Sequence, residues 1–124
     1  MKLSEVRGND IQKRLVKFAA RIIKLCDSLP AESIASKHIA RQLMRSGTSP
    51  APNYGEARGA ESTADFIHKL RIAVKELNES EVWMEIIVES EFKTFDELKF
   101  LIDECVQLQR ILNASVKTAR NKLK

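Results

Sequence analysis

The spacing of the apolar residues is the feature that most constrains the fold of this chain. In the first long stretch, apolar side chains recur four, three, four and three positions apart, at Ile11, Leu15, Phe18, Ile22 and Leu25. This spacing places one apolar stripe along one face of an α-helix, and two later stretches, from Phe66 to Ile87 and from Leu98 to Leu123, repeat it. No segment shows the strand-like alternation of apolar and polar residues between turn residues. The sequence therefore predicts an all-α protein.

Capping residues and proline mark where the predicted helices begin and end. Asp10 is a suitable N-cap for the first helix, and Pro30 ends it because the residue before a proline avoids helical geometry. Ser62 and Thr94 are each followed three residues later by an acidic residue, a spacing that resembles a capping box. We expect helices at about residues 11–29, 31–46, 61–90 and 95–121, with residues 1–9 flexible. Short connections favour antiparallel neighbours, which predicts a single domain, 1–124, folded as an up-and-down antiparallel four-helix bundle.

The segment 45–57 interrupts the helical pattern. It holds two of the three prolines and two of the four glycines of the chain. Proline has no amide donor and glycine is conformationally loose, so a regular helix cannot pass through the segment unperturbed. At this point the sequence leaves open whether the second helix is broken or only kinked at Pro50 and Pro52.

The composition is typical of a soluble helical domain. The chain has 124 residues, of which 44% are apolar and 31% charged, enough for one domain with its own core. No apolar run approaches the roughly 18 residues that span a bilayer, and the first ten residues lack the apolar core of a secretory signal. We therefore expect a cytoplasmic protein without a membrane segment.

The two cysteines, Cys26 and Cys105, both lie within apolar helical patterns. We expect buried, reduced thiols. A disulfide or redox pair is the alternative, but no Cys-x-x-Cys spacing supports it.

The apolar faces are wider than one stripe. The first helix adds Ala19, Ile23 and Cys26, and the last adds Leu101, Leu108 and Ile111. A monomeric bundle could bury these residues in a broad core, or they could lie in a subunit interface. Because large exposed apolar patches are unusual in monomers, the pattern favours an oligomer.

Charge is distributed unevenly along the chain. Residues 1–60 carry eleven basic against five acidic side chains (+6), whereas residues 61–124 carry ten against twelve (−2). In the predicted bundle, bases gather at one end and acids gather around the turn between the last two helices. A polyanion such as RNA or DNA would explain this distribution through phosphate contacts; a protein partner or self-assembly, and simple solubility, are the alternatives. The candidate nucleic-acid-binding residues are Arg14, Lys17, Arg21, Lys24, Arg41, Arg45, Arg58, Lys117, Arg120, Lys122 and Lys124.

The sequence contains no pattern typical of an enzyme, a metal site or a cofactor site. His38 and His68 lie on different predicted helices without acidic or cysteine neighbours at ligand spacing. No Glu-x-x-His occurs, so a di-metal carboxylate bundle is not predicted. Trp83 lies in an acidic stretch and is interpreted as a packing or interface residue rather than a base-stacking one. We expect a non-enzymatic protein.

Several joined motifs resemble the 23S ribosomal RNA intervening-sequence proteins, a family of four-helix bundles. They are Ile-Ala-Arg-Gln-Leu-Met-Arg-Ser at 39–46, Thr-Ser-Pro-Ala-Pro-Asn-Tyr-Gly-Glu-Ala at 48–57, Asp-Phe-Ile-His-Lys-Leu at 65–70 and Lys-Glu-Leu-Asn-Glu-Ser at 75–80. The resemblance extends from about residue 16 to 112. Asn53, Glu56, Asp65 and Lys69 match polar motif positions of the family and are interpreted as structural: helix-junction caps and pairs between helices or subunits. Many members carry an aliphatic residue where Pro52 or Tyr54 stands here.

The resemblance also implies an assembly and a set of partners. It implies a bacterial, cytoplasmic, non-enzymatic protein that forms a homopentamer and whose cellular role is largely unknown. A related branch is similar to the accessory protein of diversity-generating retroelements, a basic pentamer that binds nucleic acid and a reverse transcriptase. By this resemblance the expected partners are further copies of the chain, RNA or DNA, and a reverse transcriptase or ribosome-associated protein.

Overall fold

The computed structural model describes residues 3–123, which form a bundle of four helices, the second of them in two parts. The helical segments are α1 (Leu3–Ser28), α2 (Ile34–Thr48), α3 (Pro50–Arg58), α4 (Thr63–Glu89) and α5 (Phe95–Lys122). No strand occurs between residues 3 and 123. Taking α2 and α3 as one helix, each of the four helices runs antiparallel to the next, and α1 and α5 are adjacent. The predicted all-α, up-and-down architecture is confirmed.

The junction of α2 and α3 is a kink and not a break. Ser49 keeps helical dihedral angles, φ −69° and ψ −37°. Its N–H donates to the carbonyl of Arg45, and its own carbonyl accepts from the N–H of Asn53, each at 3.2 Å. Pro50 and Pro52 have no N–H to donate, so the ladder of hydrogen bonds is interrupted only locally. The second helix therefore continues to Arg58, although the sequence led us to expect its end near residue 46.

Helix α1 begins earlier than the sequence indicated. Asp10 was expected as its N-cap but lies inside the helix, which starts at Leu3. A contact with the end of α3 accounts for the extension: Gly8 is buried beside Arg58, whose Nη2 donates to Asn9 Oδ1 at 2.8 Å. Of the nine residues expected to be flexible, 3–9 are helical, while 1 and 2 lie outside the described residues.

The starts of α4 and α5 follow the capping signals of the sequence, whereas α2 begins at Ile34, after Ser33, and not at residue 31 as expected. Ser62 Oγ accepts the N–H of Asp65 at 3.0 Å, which is one half of the predicted box at the start of α4. At α5 both halves are present, between Thr94 and Glu97. Side-chain acceptors here satisfy N–H groups that the helix itself leaves unpaired.

The core lies along the bundle axis and closes tightly between α1 and α2. Its fully buried side chains come from all four helices: Leu15, Phe18, Ile22, Leu43, Leu70, Leu77, Met84, Ile87, Leu108 and Leu112. Gly47 is buried directly against Ile22, so the two helices approach closely there. Between α2 and α4 the hydroxyls of Ser46 and Ser80 share a hydrogen bond of 2.8 Å, which satisfies two polar groups inside the core.

Candidate nucleic-acid interface

Arg14 is engaged within the bundle. Its Nε and Nη2 donate to the two carboxylate oxygens of Glu104 on α5, at 3.1 and 2.6 Å. Nη2 also donates to Gln107 at 3.2 Å. The hydrogen bond with Glu104 raises the pKa of Arg14. This bidentate ion pair holds α1 to α5, and it occupies the Nε and Nη2 donors that a bidentate phosphate contact would use.

Arg45 is engaged in the same way between α2 and α4. Its Nη1 donates to Glu76 at 2.9 Å, and its Nη2 donates to Glu79. Glu79 also accepts the indole N–H of Trp83 at 3.1 Å, and the ring of His38 meets Trp83 edge-on at 5.8 Å. Burial raises the pKa of Glu79, but the bonds from Arg45 and Trp83 outweigh this effect and lower it overall. Trp83 is a packing residue, as expected.

Two further candidates, Arg58 and Arg21, have partners of a different kind. Arg58 donates to Asn9 as described above. The guanidinium of Arg21 lies over the ring of Phe100 on α5, 5.0 Å from the ring centroid. Such stacking leaves the donors of Arg21 open toward solvent.

The other described candidates are exposed and form no ion pair with any residue in the described range. They are Lys17, Lys24, Arg41, Lys117, Arg120 and Lys122. Lys124, the last candidate, lies outside the described residues. Lys17 and Lys24 stand seven residues, or about two turns, apart and therefore share the outer face of α1.

The bases do not all gather at one end of the bundle. Arg58 and Lys122 line one shallow cavity, together with residues of α4, so these two bases do lie at the same end of the bundle. Arg45, however, stands thirteen residues before Arg58 on a helix that continues through the proline segment. At 1.5 Å per residue it is about 20 Å from that end, and Arg41 is farther still. The prediction that α2 contributes to the basic end was wrong because it assumed that the helix stops near residue 46.

The four motif residues occupy structural positions. The amide of Asn53 donates to the carbonyl and the hydroxyl of Ser49, at 3.0 and 2.8 Å, and so supports the kink. Lys69 Nζ lies 2.9 Å from Glu56 Oε2 and joins α4 to α3. Hydrogen bonding to Glu56 raises the pKa of Lys69, and Asp65 adds a smaller effect. Asn53 therefore contacts a helix junction, and Glu56 and Lys69 join two helices within one chain.

A shallow groove between α1 and α5 contains residues that the sequence did not single out. It encloses about 380 Å³ and is lined by Arg21, Lys24, Lys93 and Phe100 above an apolar floor. Lys93 stands just before the N-cap of α5, where no periodic pattern points to a surface. Phe100 lies off the apolar stripe of α5, and an aromatic residue at such a position was the one signal that could have found it.

The remaining chemical groups are dispersed. Cys26 and Cys105 are buried free thiols, as expected, and burial raises their pKa values to about 11 and about 12. Cys105 Sγ donates to the carbonyl of Leu77 at 3.1 Å.

Among the described residues, no three His, Cys, Asp or Glu side chains converge on a point that could hold a metal. None of the helices described is both long and apolar enough to cross a membrane.

Comparison with known proteins gives the family. The model of the 23S rRNA-intervening sequence protein family matches residues 7–114. The chain belongs to this family. Among solved structures, it is similar to a protein of unknown function from the S23 ribosomal protein family of Bacteroides thetaiotaomicron, with 34% sequence identity and a TM-score of 0.81. The match covers 89% of this chain and 97% of the other. The comparison with curated proteins gave no match.

Membership confirms the resemblance found in the motifs and identifies no enzymatic family. The intervening-sequence match contains every element of the bundle core, from α1 to most of α5. It therefore covers the proline kink, the Glu56–Lys69 pair and the groove between α1 and α5.

Proposed function

We propose that this intervening-sequence protein is a cytoplasmic, non-enzymatic homopentamer that binds RNA or DNA without strong sequence preference. The observation that carries the proposal is a set of exposed bases on the outer face of α1 and the last turns of α5 that form no ion pair with any other residue the structure describes. Unpaired cations can neutralise phosphates and release counterions, whereas bases held by carboxylates cannot do so without losing their partners.

The pairing of the other bases narrows the proposed surface. Arg14 and Arg45 are held by carboxylates and Arg58 by an amide, so they position helices. Lys17 and Lys24 remain on α1, Arg41 remains on α2, and Lys117, Arg120 and Lys122 remain on α5. Phosphate contacts of this kind carry no sequence information, which accounts for the lack of specificity in the proposal.

Exposed apolar side chains support self-association. Val16 is 52% exposed and Ile23 42%, and they stand seven residues apart on one face of α1. Ile34, at the start of α2, is 88% exposed. Burying such residues between copies would remove apolar surface from water. The pentameric number comes from the family resemblance; sedimentation velocity tests it, and a monomer at micromolar concentration would contradict it.

Binding is tested with a fluorescent generic RNA at two salt concentrations. Wild type should bind at about 50 mM salt and lose at least tenfold in affinity at about 200 mM, the signature of counterion release. Replacing Lys17 and Lys24 by Glu, or Lys117, Arg120 and Lys122 by Glu, should weaken binding alike for unrelated sequences. The charge-matched control is Lys37→Glu with Lys99→Glu, two exposed lysines outside the proposed surface. If wild type does not bind the RNA at low salt, the proposal is wrong.

A second candidate function is a scaffold for a protein such as a reverse transcriptase or a ribosome-associated factor. The observation that favours it is the other end of the bundle, where exposed Val82 and Phe95 stand among the acids Glu85, Glu91 and Asp96. That surface would repel phosphate and suits a basic protein partner. A partner that remains bound after nuclease treatment would favour this function over the first.

A further inference from the structure

The groove between α1 and α5 combines cations with an exposed aromatic ring. Phe100 is 66% exposed, because α5 contributes other residues to the core. Arg21 covers part of its ring, and Lys24 and Lys93 line the same groove. The floor consists of Leu25, Leu98 and Leu101, which are buried and fixed by the core. The groove therefore has a buried apolar floor and positive side chains at its rim.

The charge balance of the groove is positive. Three cations line it against a single acid, Glu97. The carboxylate of Glu97 already accepts the N–H of Thr94 at 3.1 Å as part of the capping box. The lining thus has an excess of two positive charges and attracts an anion.

We propose that this groove binds one unpaired nucleotide of a single-stranded nucleic acid, with the base against Phe100 and its flanking phosphates on Lys24 and Lys93. The inference rests on the proposed nucleic-acid binding and gives it a second, base-dependent component. A planar base can stack on an aromatic ring regardless of its identity, and a guanidinium such as that of Arg21 adds a further planar surface.

The combination of groups favours a nucleotide over an acidic peptide or a duplex. Carboxylates of a peptide would pair with the cations but would offer no planar group to Phe100. The bases of a duplex are already stacked on one another, so their faces are inaccessible. A single strand presents both a phosphate and a free base face within one nucleotide.

Phe100→Ala tests the inference because the residue is mostly exposed and the core does not depend on it. The probes are a fluorescent 12-nucleotide oligouridine and an abasic oligomer with the same length and backbone. Phe100→Ala should weaken oligouridine binding about tenfold, within the range for base–aromatic stacking, and leave abasic binding unchanged. Phe100→Trp should restore it. The matched control is Phe95→Ala, an aromatic residue that is 53% exposed on the same helix but outside the groove.

The lysines are tested by salt dependence. Lys24→Gln with Lys93→Gln should reduce the slope of log affinity against log salt by about 1.4, at about 0.7 per phosphate of a single strand. Phe100→Ala should leave that slope unchanged.

The outcomes separate the two proposals. If wild type binds both oligomers and Phe100→Ala changes neither affinity, or both equally, the groove inference is wrong and the basic surface stands. If Phe100→Ala weakens the binding of poly-glutamate as much as it weakens the binding of oligouridine, the groove is an anion site that does not recognise a base. That result would also overturn the groove inference. If wild type binds neither oligomer at low salt, both proposals fall.

Discussion

The close contact between Gly47 and Ile22 predicts that Gly47→Ala destabilises the protein. A Cβ at position 47 would lie 2.7 Å from Cγ2 and 2.8 Å from Cγ1 of Ile22. Carbon atoms pack best at about 3.5–4.0 Å, so one of the helices must shift by about 1 Å. Ile22 is fully buried and its branched side chain has no free space to enter.

The net cost is the difference between two effects. Overpacking of this kind costs about 1–3 kcal/mol, and two overlapping carbon atoms place this site in the upper part of that range. Replacing glycine by alanine inside a helix recovers about 1 kcal/mol. We expect the free energy of unfolding to fall by about 1–2 kcal/mol, which for a chain of 124 residues lowers the Tm by about 4–8 °C.

Thermal unfolding followed by circular dichroism measures this loss, at one protein concentration because an oligomer's Tm depends on concentration. Gly55→Ala is the matched control: its Cβ would meet only Gln12 Oε1, at 3.3 Å, so it should raise stability by up to about 1 kcal/mol. In the background of Ile22→Ala, which removes Cγ1 and Cγ2 and leaves only Cβ at 3.1 Å, Gly47→Ala should cost much less. A Tm at or above that of wild type, with strictly additive effects in the double variant, would refute the reasoning.

Three further predictions concern single side chains. Glu79→Gln should cost about 0.5–1 kcal/mol at neutral pH. Because the folded state lowers the pKa of Glu79, the difference in stability between wild type and variant is complete above the unfolded-state pKa, near 4.3, and is lost at lower pH. Urea titrations below pH 4 should therefore show no difference in the free energy of unfolding. A difference that stays constant with pH would contradict the prediction. Cys26 and Cys105 should react with iodoacetamide at pH 8 more than about a hundredfold more slowly than free cysteine, because burial raises the pKa of both thiols. Mass spectrometry measures the labelling rate, and rapid labelling of either cysteine would contradict the prediction. Glu91→Gly should stabilise by about 0.5–1 kcal/mol in thermal unfolding, since Glu91 holds a φ of 64° in the turn after α4; a lower Tm would show that the backbone there is unstrained.

Local signals in the sequence predicted the fold because they act over a few residues. The Thr94–Glu97 box and the apolar stripes depend on neighbours three or four positions away. The early start of α1 arises from a long-range contact, whereas the continuation of α2 past Pro50 depends on local bonds that the proline and glycine content of the segment does not reveal. The N-terminal turns of α1 form against Arg58, 49 residues beyond Asn9, and the helix passes Pro50 because Ser49 keeps its dihedral angles while Asn53 supports it.

The candidate site was predicted less well for the same reason. Periodicity identifies an exposed base but not its partner, and Glu104 stands 90 residues after Arg14. The groove residue Phe100 meets Arg21 only because α1 and α5 run antiparallel side by side. Sequence spacing within one helix contains no information about such a pair.

The continuity of α2 and α3 changes what the charge distribution of this chain means. The first sixty residues carry an excess of six positive charges, and a helix ending near residue 46 would have placed several of them at one end of the bundle. Because the helix instead continues to Arg58, Arg45 lies at mid-bundle, where it meets Glu76 and Glu79 of the acidic second half. Part of the excess is therefore neutralised by ion pairs within the chain, and most of the charge left for a polyanion lies on α1 and at the end of α5. It follows that reversing the α1 and α5 lysines should abolish nucleic-acid binding, whereas removing Arg45 should affect stability alone.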